Sequence, residues 1–144
     1  MKRLLLILSI ALAASEVYAS ADLRVKAANY SVKLEGSHYK RGGNSPAEGF
    51  DCSGLVKHVF DKKTGTDLPR TSSELAQLPA KKLPPAALKK GDILFFKTRG
   101  RIDHVGIYIG NNKFVHAAGR SGGVRVASLS VQYWKLVFAF GKRI

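Results

Sequence analysis

The clearest helix start in the sequence is the segment FDCSGLV, residues 50–56. Asp51 is a favoured N-cap residue, because its carboxylate accepts a hydrogen bond from a first-turn N–H group that has no partner within the helix. Apolar residues then recur with the spacing of one helix face, at Leu55, Val56, Val59 and Phe60. The sequence therefore predicts a helix that begins at about Cys52 and packs this face against a core.

Cys52 is the only cysteine of the chain, so the protein forms no internal disulfide. A free cysteine has a pKa of about 8.5 and reacts as the thiolate, which a helix N-terminus or a neighbouring histidine stabilises. The helix dipole contributes typically about 0.3–1 kcal/mol, less than one pKa unit. A nucleophilic Cys52 therefore needs a base, beside which we expect the sulfur to be ionised. The alternative is a small buried apolar residue.

Two of the four histidines, His104 and His116, flank a predicted hairpin turn at residues 110–112. Counted from the turn, they are near-opposite partners on adjacent strands, where Cβ atoms lie about 4.5–5.5 Å apart directly and about 7–8 Å apart diagonally. One imidazole can therefore orient the other. Covalent catalysis requires a nucleophile, a base and a group that fixes the base, which makes Cys52, His104 and His116 the candidate catalytic set.

Other uses of these residue types are less favoured. His58 lies six residues after Cys52 in the same predicted helix, on a different face, so we expect it to pack or to lie at the surface. His38 falls in a loop rich in Gly, Ser, Asn and Pro, and its role stays open. Zinc also binds cysteine and histidine, but CxxC and HxxxH spacings and a fourth ligand are missing from the sequence. We therefore predict no metal and no cofactor.

Two further helices are predicted. Apolar residues at i, i+4, i+7 and i+11 over residues 23–34 suit a helix closed by Gly36, although local alternation also suits a strand. The segment TSSE, residues 71–74, is a capping box, in which the Thr hydroxyl and the Glu carboxylate each satisfy a free backbone N–H. We expect Pro79 to end this helix after Leu78.

The rest of the chain has the pattern of strands. β-Branched or aromatic runs occur at residues 93–96, 105–109, 113–117, 124–127 and 137–140, separated by short Gly-containing turns. Tyr133 and Trp134 are expected in the core. Short connections join antiparallel neighbours, and 144 residues have room for one domain. We therefore predict a single α+β domain, with N-terminal helices packed on a central antiparallel sheet of about five strands.

The first residues have the three-part pattern of a secretory signal peptide. Lys2 and Arg3 form a basic start, residues 4–14 an apolar run, and residues 17–19 or 19–21 a small-residue cleavage site. The run is shorter than the roughly 20 apolar residues that cross a bilayer. We therefore predict a signal peptide at 1–21, a domain at 22–144, export to the periplasm or cell wall, and no stable membrane insertion. The alternative is a buried N-terminal helix.

The chain is strongly basic, with 24 Lys and Arg against 10 Asp and Glu and a formal net charge of +14. Such a field attracts polyanions over roughly 8–10 Å at moderate salt. The basic residues are scattered, so a solvated surface accounts for most of them. Outside a cell the candidate partners are wall polymers and anionic lipid surfaces. Nucleic acid is disfavoured, because export and the absence of a binding motif both argue against it.

Six segments of the sequence occur in order: YKRGG at 39–43, FDCSGLV at 50–56, LPRTS at 68–72, GDILFF at 91–96, HVGIYIG at 104–110 and FVHA at 114–117. Together they resemble the NlpC-type cell-wall cysteine peptidases, which are papain-like and CHAP-related. The resemblance runs from about Val25 to the C-terminus. Any one segment would be a weak signal, whereas six in order are specific.

The resemblance implies a papain-like α+β domain that cuts peptidoglycan stem peptides, characteristically between γ-D-glutamate and a diamino acid. It implies Cys52 as the nucleophile, His104 as the base and His116 as the residue that orients the base. Three further positions correspond to residues that line the site or contact the substrate in relatives: Tyr39, Asp51 and Ser53. The implied partner is peptidoglycan or a muropeptide, bound by a monomer.

Two features depart from the family's pattern. Asp103 precedes His104 where the family more often has a small hydroxyl residue, and the turn at residues 97–101 is unusually basic. Because neighbours on a strand point to opposite faces, we expect the Asp103 side chain at the surface.

Two other functions stay open. The first is an amidase or acyltransferase on the same scaffold, which uses the same thioester chemistry in a different pocket. The second is a non-catalytic basic protein that binds anionic wall polymer, with Cys52 merely buried. Binding of that kind survives Cys52→Ala and falls steeply with salt, whereas an enzyme loses turnover and keeps binding.

Overall fold

The computed structural model describes residues 2–119 and 122–144, with side chains from residue 9 onward. The described chain contains four α-helices, a 3₁₀ turn at Pro85–Ala87 and seven strands. The helices are α1 (Lys2–Lys33), α2 (Cys52–Thr64), α3 (Ser72–Ala76) and α4 (Gln132–Val137). The strands are β1 (Asn44–Ser45), β2 (Gly49–Phe50), β3 (Ile93–Phe96), β4 (His104–Gly110), β5 (Lys113–Ala118), β6 (Gly123–Ser128) and β7 (Phe138–Lys142).

Strands β3 to β7 form one antiparallel sheet in the order β6-β5-β4-β3-β7. Strands β3 to β6 are sequential neighbours, and β7 returns to pair with β3. Asn111 and Asn112 form the β4–β5 turn with φ of 52° and 61°, the left-handed backbone that a two-residue hairpin turn requires. The predicted α+β architecture with a central antiparallel sheet of five strands is confirmed.

Helix α2 forms as the sequence predicts. The backbone of Asp51 is extended, and its Oδ1 accepts a hydrogen bond from the N–H of Gly54 at 2.8 Å. The helix ends at Gly65, whose φ of 67° suits a left-handed C-cap. The predicted apolar face is at most 1% exposed and forms part of the main core with the sheet: Leu55, Val56, Val59 and Phe60. Packing of this face sets the N-terminus of α2 against β4.

Helix α1 differs along its length. Its C-terminal part packs on α2, with Ala27 and Ala28 almost completely buried, which confirms the predicted helix over residues 23–34. Between residues 9 and 20, apolar side chains such as Val17 and Tyr18 are 66% and 77% exposed, so this part of the helix does not contribute to the core. Met1 lies outside the described residues. In the described part of the chain, every helix is too short or too polar to cross a membrane.

Three local features differ from the sequence predictions. The short strands β1 and β2 pair within the segment predicted to be a loop. Helix α4 was not predicted, and it occupies the residues just before β7. Helix α3 keeps its Thr71 N-cap but ends at Ala76, before the expected Pro79. The ammonium of the buried Lys142 donates to the carbonyl oxygens of Ala76 and Leu78 at 2.6 and 2.7 Å. These two carbonyl groups at the end of α3 therefore have hydrogen-bond partners.

Candidate active site

Cys52 is the first residue of α2, and its sulfur lies beside the start of β4, where the Val105 N–H is directed at it. Burial raises the pKa of the Cys52 thiol, and the charge of Asp51 raises it further. Hydrogen bonds from backbone N–H groups, Val105 first among them, act in the opposite direction without reversing the shift. The folded surroundings of Cys52 therefore disfavour the ionised sulfur that the sequence led us to expect, because burial opposes its charge.

The two candidate histidines meet across β4 and β5. Nε2 of His104 lies 2.8 Å from Nδ1 of His116, and the two rings are nearly perpendicular, at 89°. Because Ile107 pairs with Val115, the residue opposite His116 is Gly106, and His104 is the diagonal neighbour. A Cβ on Gly106 would lie 2.9 Å from the Phe114 ring and 3.0 Å from the Val115 carbonyl oxygen, so a glycine here permits close packing of β4 on β5. The predicted meeting of the histidines is confirmed.

Burial keeps both imidazoles neutral. Burial lowers the pKa of His104 to about 4, an effect that the neighbouring Asp103 charge only partly opposes. Burial, together with the charges of His104 and Arg125, lowers the pKa of His116 to about 3. When His116 accepts at Nδ1, His104 carries its proton on Nε2 and leaves Nδ1 as the free base. A neutral imidazole with one free nitrogen is the state that a general base requires.

Trp134 of α4 covers both imidazoles. Its ring stacks on His104 with 5.8 Å between centroids and 26° between planes, and it meets His116 edge to face at 5.0 Å and 78°. Phe96 and Phe114 surround the same indole. Trp134 is therefore partly buried and packs against the core rather than within it, and it covers the histidine pair. The prediction for Tyr133 is wrong, because this side chain is 51% exposed.

Asp51 and Ser53 flank Cys52 and belong to a polar cluster that Arg70 completes. The Arg70 guanidinium donates to both Asp51 carboxylate oxygens at 2.9 and 2.8 Å and to the Ser53 hydroxyl at 3.0 Å. Burial opposes ionisation of Asp51, yet these bonds and the backbone N–H donors hold its pKa below the usual range. Sequence reasoning assigned no role to Arg70. Its place in the LPRTS segment was the available signal, but nothing in the sequence pairs it with Asp51, 19 residues earlier.

The glycine-containing loop brings Tyr39 to the same place. Tyr39 forms an isolated β-bridge with Phe50 through the backbone. Burial raises the pKa of the Tyr39 phenol, and the nearby Asp51 and Cys52 charges act in the same direction. The N–H of Gly42 donates to Asp51 Oδ2 at 2.9 Å. A Cβ on Gly54 would collide with the Gly43 carbonyl oxygen, so this glycine permits the loop to touch the first turn of α2. The loop thus joins Tyr39 to the surroundings of Cys52.

The other two histidines lie outside this cluster. His58 accepts or donates a hydrogen bond with the Tyr30 hydroxyl at 2.9 Å and packs on Phe50, which confirms the packing role expected for it. His38 lies with its ring against Gly49 of β2.

Asp103 is not a surface residue, contrary to the expectation. Its side chain is only 6% exposed, because it precedes β4 and turns inward under the β3–β4 turn. There it accepts hydrogen bonds from the Thr98 N–H and hydroxyl and from Arg99 Nε. The alternation rule does not apply to a residue that lies before the strand.

Within the described residues, no three His, Cys, Asp or Glu side chains are grouped so that they could hold a metal ion. The chemistry available to the site is that of a buried thiol, an imidazole with a free nitrogen and a helix N-terminus. This set of groups suits covalent attack on a carbonyl carbon.

Comparison with known proteins agrees with this geometry. Residues 36–143 match the NlpC/P60 family. The chain is 38% identical over 121 residues to the murein DD-endopeptidase MepH of Escherichia coli, covering 82% of this chain and 45% of that protein. It is 41% identical over 119 residues to the gamma-DL-glutamyl hydrolase of Bacillus subtilis, covering 81% of this chain and 28% of that protein.

Solved structures lead to the same family. The NlpC/p60 domain of the peptidoglycan hydrolase SagA superposes with a TM-score of 0.73 at 27% identity, over 84% of this chain and 98% of that one. The chain spans less than half the length of the two curated relatives described above, so it corresponds to one part of each. On the family match and these identities, the chain belongs to the NlpC/P60 family.

Proposed function

We propose that this protein is a peptidoglycan endopeptidase that cuts stem peptides, at the bond between γ-D-glutamate and a diamino acid. The observation that carries the proposal is the 2.8 Å contact between His104 Nε2 and His116 Nδ1, at the start of the strand whose Val105 N–H is directed at the Cys52 sulfur. Relatives named as a murein endopeptidase and a glutamyl hydrolase support the substrate class. We assign Cys52 as the nucleophile, His104 as the base and His116 as the orienting residue.

The protonation states support a proton-coupled attack. His104 Nδ1 accepts the thiol proton as the Cys52 sulfur attacks the amide carbon, because both groups rest neutral. The Cys52 backbone N–H, at a helix start, is placed to donate to the developing oxyanion. The imidazolium then protonates the leaving amine, and water hydrolyses the thioester with His104 again as base. His116 stays neutral throughout, and its Nδ1 accepts a hydrogen bond from the Nε2–H group of His104.

We propose Tyr39, Asp51 and Ser53 as substrate contacts, and add Arg70 to them. Each lies next to Cys52 in the chain or in the folded structure. The Arg70 guanidinium fixes the Asp51 carboxylate with two parallel bonds, a geometry that resists rotation. A fixed acceptor beside the nucleophile suits recognition of the donor groups of a peptide end.

We also propose that the protein is exported after removal of residues 1–21 and acts as a monomer. Apolar side chains between residues 9 and 20 are exposed and contribute nothing to the core, which supports removal of this segment. The mass of the protein secreted by its host, and light scattering during size exclusion, test these two points.

The test of the proposal is digestion of purified muropeptides by the wild type and by Cys52→Ala, with mass analysis of the products. We expect the wild type to release a product ending in γ-D-glutamate and the variant to release none. Cleavage of the D,D cross-link alone would overturn the assignment of the bond. Equal products from both proteins, or binding of wall polymer with no turnover, would overturn the enzymatic assignment itself.

A further inference from the structure

The β3–β4 turn forms one wall of an open groove beside the candidate active site. The groove has a volume of about 810 Å³, so it can hold part of a peptide and is larger than a site for a single ion. The first turn of α3, Gln77 and Arg41 also line the groove. The charge of Arg41 acts on the Tyr39 phenol, and the charge of Asp103 acts on the His104 imidazole. The groove therefore adjoins two residues of the candidate site.

Asp103 builds the turn that carries two of the groove's arginines. Its buried carboxylate binds the backbone N–H and hydroxyl of Thr98 at 2.8–2.9 Å and Arg99 Nε at 3.0 Å. These bonds hold its pKa below the usual range although burial alone would raise it. Because the Asp103 carboxylate accepts all these hydrogen bonds, it holds the turn between residues 98 and 103 in one conformation. Asp103 and the basic turn, the two departures from the family pattern, therefore form one structural unit.

The charge of the groove is not balanced. Three of its lining residues are arginines, namely Arg41, Arg99 and Arg101, and all three are exposed. The single carboxylate that lines the groove is that of Asp103, and it pairs with Arg99. In the described part of the chain, no carboxylate forms an ion pair with Arg41 or Arg101. Two guanidinium groups thus face the groove with their donors available.

We propose that this groove binds a free carboxylate of the peptide substrate next to the scissile bond, with Arg41 and Arg101 as its donors. The inference rests on the proposed function, because a γ-linked glutamyl residue keeps its α-carboxylate free and a diamino acid can carry a second one. Guanidinium groups match a carboxylate with two parallel N–H bonds, which gives orientation as well as attraction. The hydroxyl groups of Ser72 and Ser73 line the same groove and supply further polar contacts.

The experiment compares synthetic stem peptides in which one carboxylate is either free or converted to the amide. One pair differs at the α-carboxylate of the γ-glutamyl residue, and a second pair differs at the carboxylate of the diamino acid. We expect the wild type to cut the free acid of one pair with a kcat/KM roughly tenfold above its amide, mainly through KM, as the loss of a charge-assisted hydrogen bond implies. The preference should shrink as salt rises.

Variants locate the preference in the groove. Arg41→Gln and Arg101→Gln should each reduce the tenfold preference to about threefold, and the double variant should abolish it. The matched control is Lys97→Gln, which removes one charge from the same exposed turn but does not line the groove. The Lys97 variant should keep the full preference.

Three outcomes overturn the inference. The groove does not bind the carboxylate if the wild type cuts free acids and amides of both pairs equally, and the proposed function then still stands. The effect is one of net charge if Lys97→Gln lowers the preference as much as Arg101→Gln does. If the arginine variants cut peptides like the wild type but lose retention on a phosphate-rich wall polymer, the groove serves that polymer instead. A wild type that cuts none of the peptides overturns both the proposed function and this inference.

Discussion

His104 and His116 form a hydrogen bond of 2.8 Å although they are diagonal and not opposite in the β4–β5 register. A Cβ on Gly106, the residue opposite His116, would lie 2.9 Å from the Phe114 ring, so a glycine permits the close packing of these two strands. The contact joins Nε2 of His104 to Nδ1 of His116, and Nδ1 of His104 is unprotonated when His116 is the acceptor. We therefore expect the hydrogen-bonding capacity of the side chain at position 116 to matter more than its bulk.

Replacement of His104 should remove general-base catalysis. We expect His104→Ala to reduce kcat/KM on muropeptides by about 10²–10⁴-fold, the usual contribution of a positioned base. His58→Ala is the control, because this imidazole lies outside the site and binds Tyr30. Normal cleavage by the His104 variant would show that another group is the base.

Replacement of His116 should separate its acceptor nitrogen from its bulk. His116→Ala removes the acceptor of the His104 Nε2 proton, and the loss of a hydrogen bond to a developing charge costs about 1.5–3 kcal/mol, or roughly 10–150-fold in kcat. His116→Asn places an amide oxygen near the former Nδ1 and should recover most of the activity. Equal losses in both variants would contradict an orienting role.

Trp134 should control the pKa of His104 by excluding water. The indole stacks on this imidazole, and burial is the main cause that lowers its pKa to about 4. We expect Trp134→Ala to raise that pKa towards 6.5, so that the acid limb of kcat/KM moves up by about 1–2 pH units. Leu136→Ala in the same helix is the control, because Leu136 is 73% exposed. An acid limb that stays in place in Trp134→Ala would assign the low pKa to another cause.

The buried histidines should make folding stability fall on mild acidification. His104 and His116 bind protons near pH 6.5 in the unfolded chain but only near pH 4 and 3 in the folded protein. Below about pH 6.5 the unfolded chain therefore binds more protons, and stability is lost as the pH falls towards 3. The loss should be on the order of 6 kcal/mol for the two histidines together in denaturant titrations between pH 7 and 4. The double variant with Asn at both positions should lose most of this dependence of the unfolding free energy on pH. An unchanged dependence would show that these two histidines are not its cause.

Arg70 should be needed for substrate binding more than for stability. Arg70→Gln frees the Asp51 carboxylate from its two parallel bonds, and we expect KM to rise while the circular-dichroism spectrum stays that of a folded protein. Lys26→Gln is the control, because it removes a cation from an exposed pair with Asp22 outside the site. A Lys26 variant with the same rise in KM would point to a general effect of charge.

Asp92 should stabilise the C-terminus. Its side chain is fully buried, and both its oxygens accept from the Arg143 guanidinium at 2.9 Å. Removing one partner of such a pair leaves the other uncompensated, so Asp92→Asn should cost about 3 kcal/mol in the free energy of unfolding. Asp22→Asn, in the exposed pair with Lys26, should change it by less than about 1 kcal/mol. A similar small change in both variants would show that the Asp92 pair is not needed for stability.

The local pattern of the sequence was sufficient for the main elements. The N-cap at Asp51, the apolar face of α2, the two-asparagine turn and strand β3 formed where they were expected, because caps, turns and side-chain periodicity act over a few residues. The diagonal meeting of His104 and His116 was also predictable, since a short hairpin turn sets the register of its two strands.

Features that depend on distant parts of the chain could not be predicted in this way. Helix α4 is a single short turn, and its packing against the histidines holds Trp134 in place. The pairing of Arg70 with Asp51 and the burial of Asp103 depend on which loops meet beside α2. The periodicity of a sequence indicates local structure and does not indicate contacts between distant loops.

The sequence alone specifies one α+β domain, with a single thiol at a helix start and two imidazoles on one hairpin. Tertiary packing alone decided the protonation states and the surroundings of these groups. Burial disfavours charge on both the sulfur and the imidazoles, so the pair rests neutral where helix position by itself favours an ionised thiol. Desolvation is a property of everything that packs around a group, and it exists only once the chain has folded.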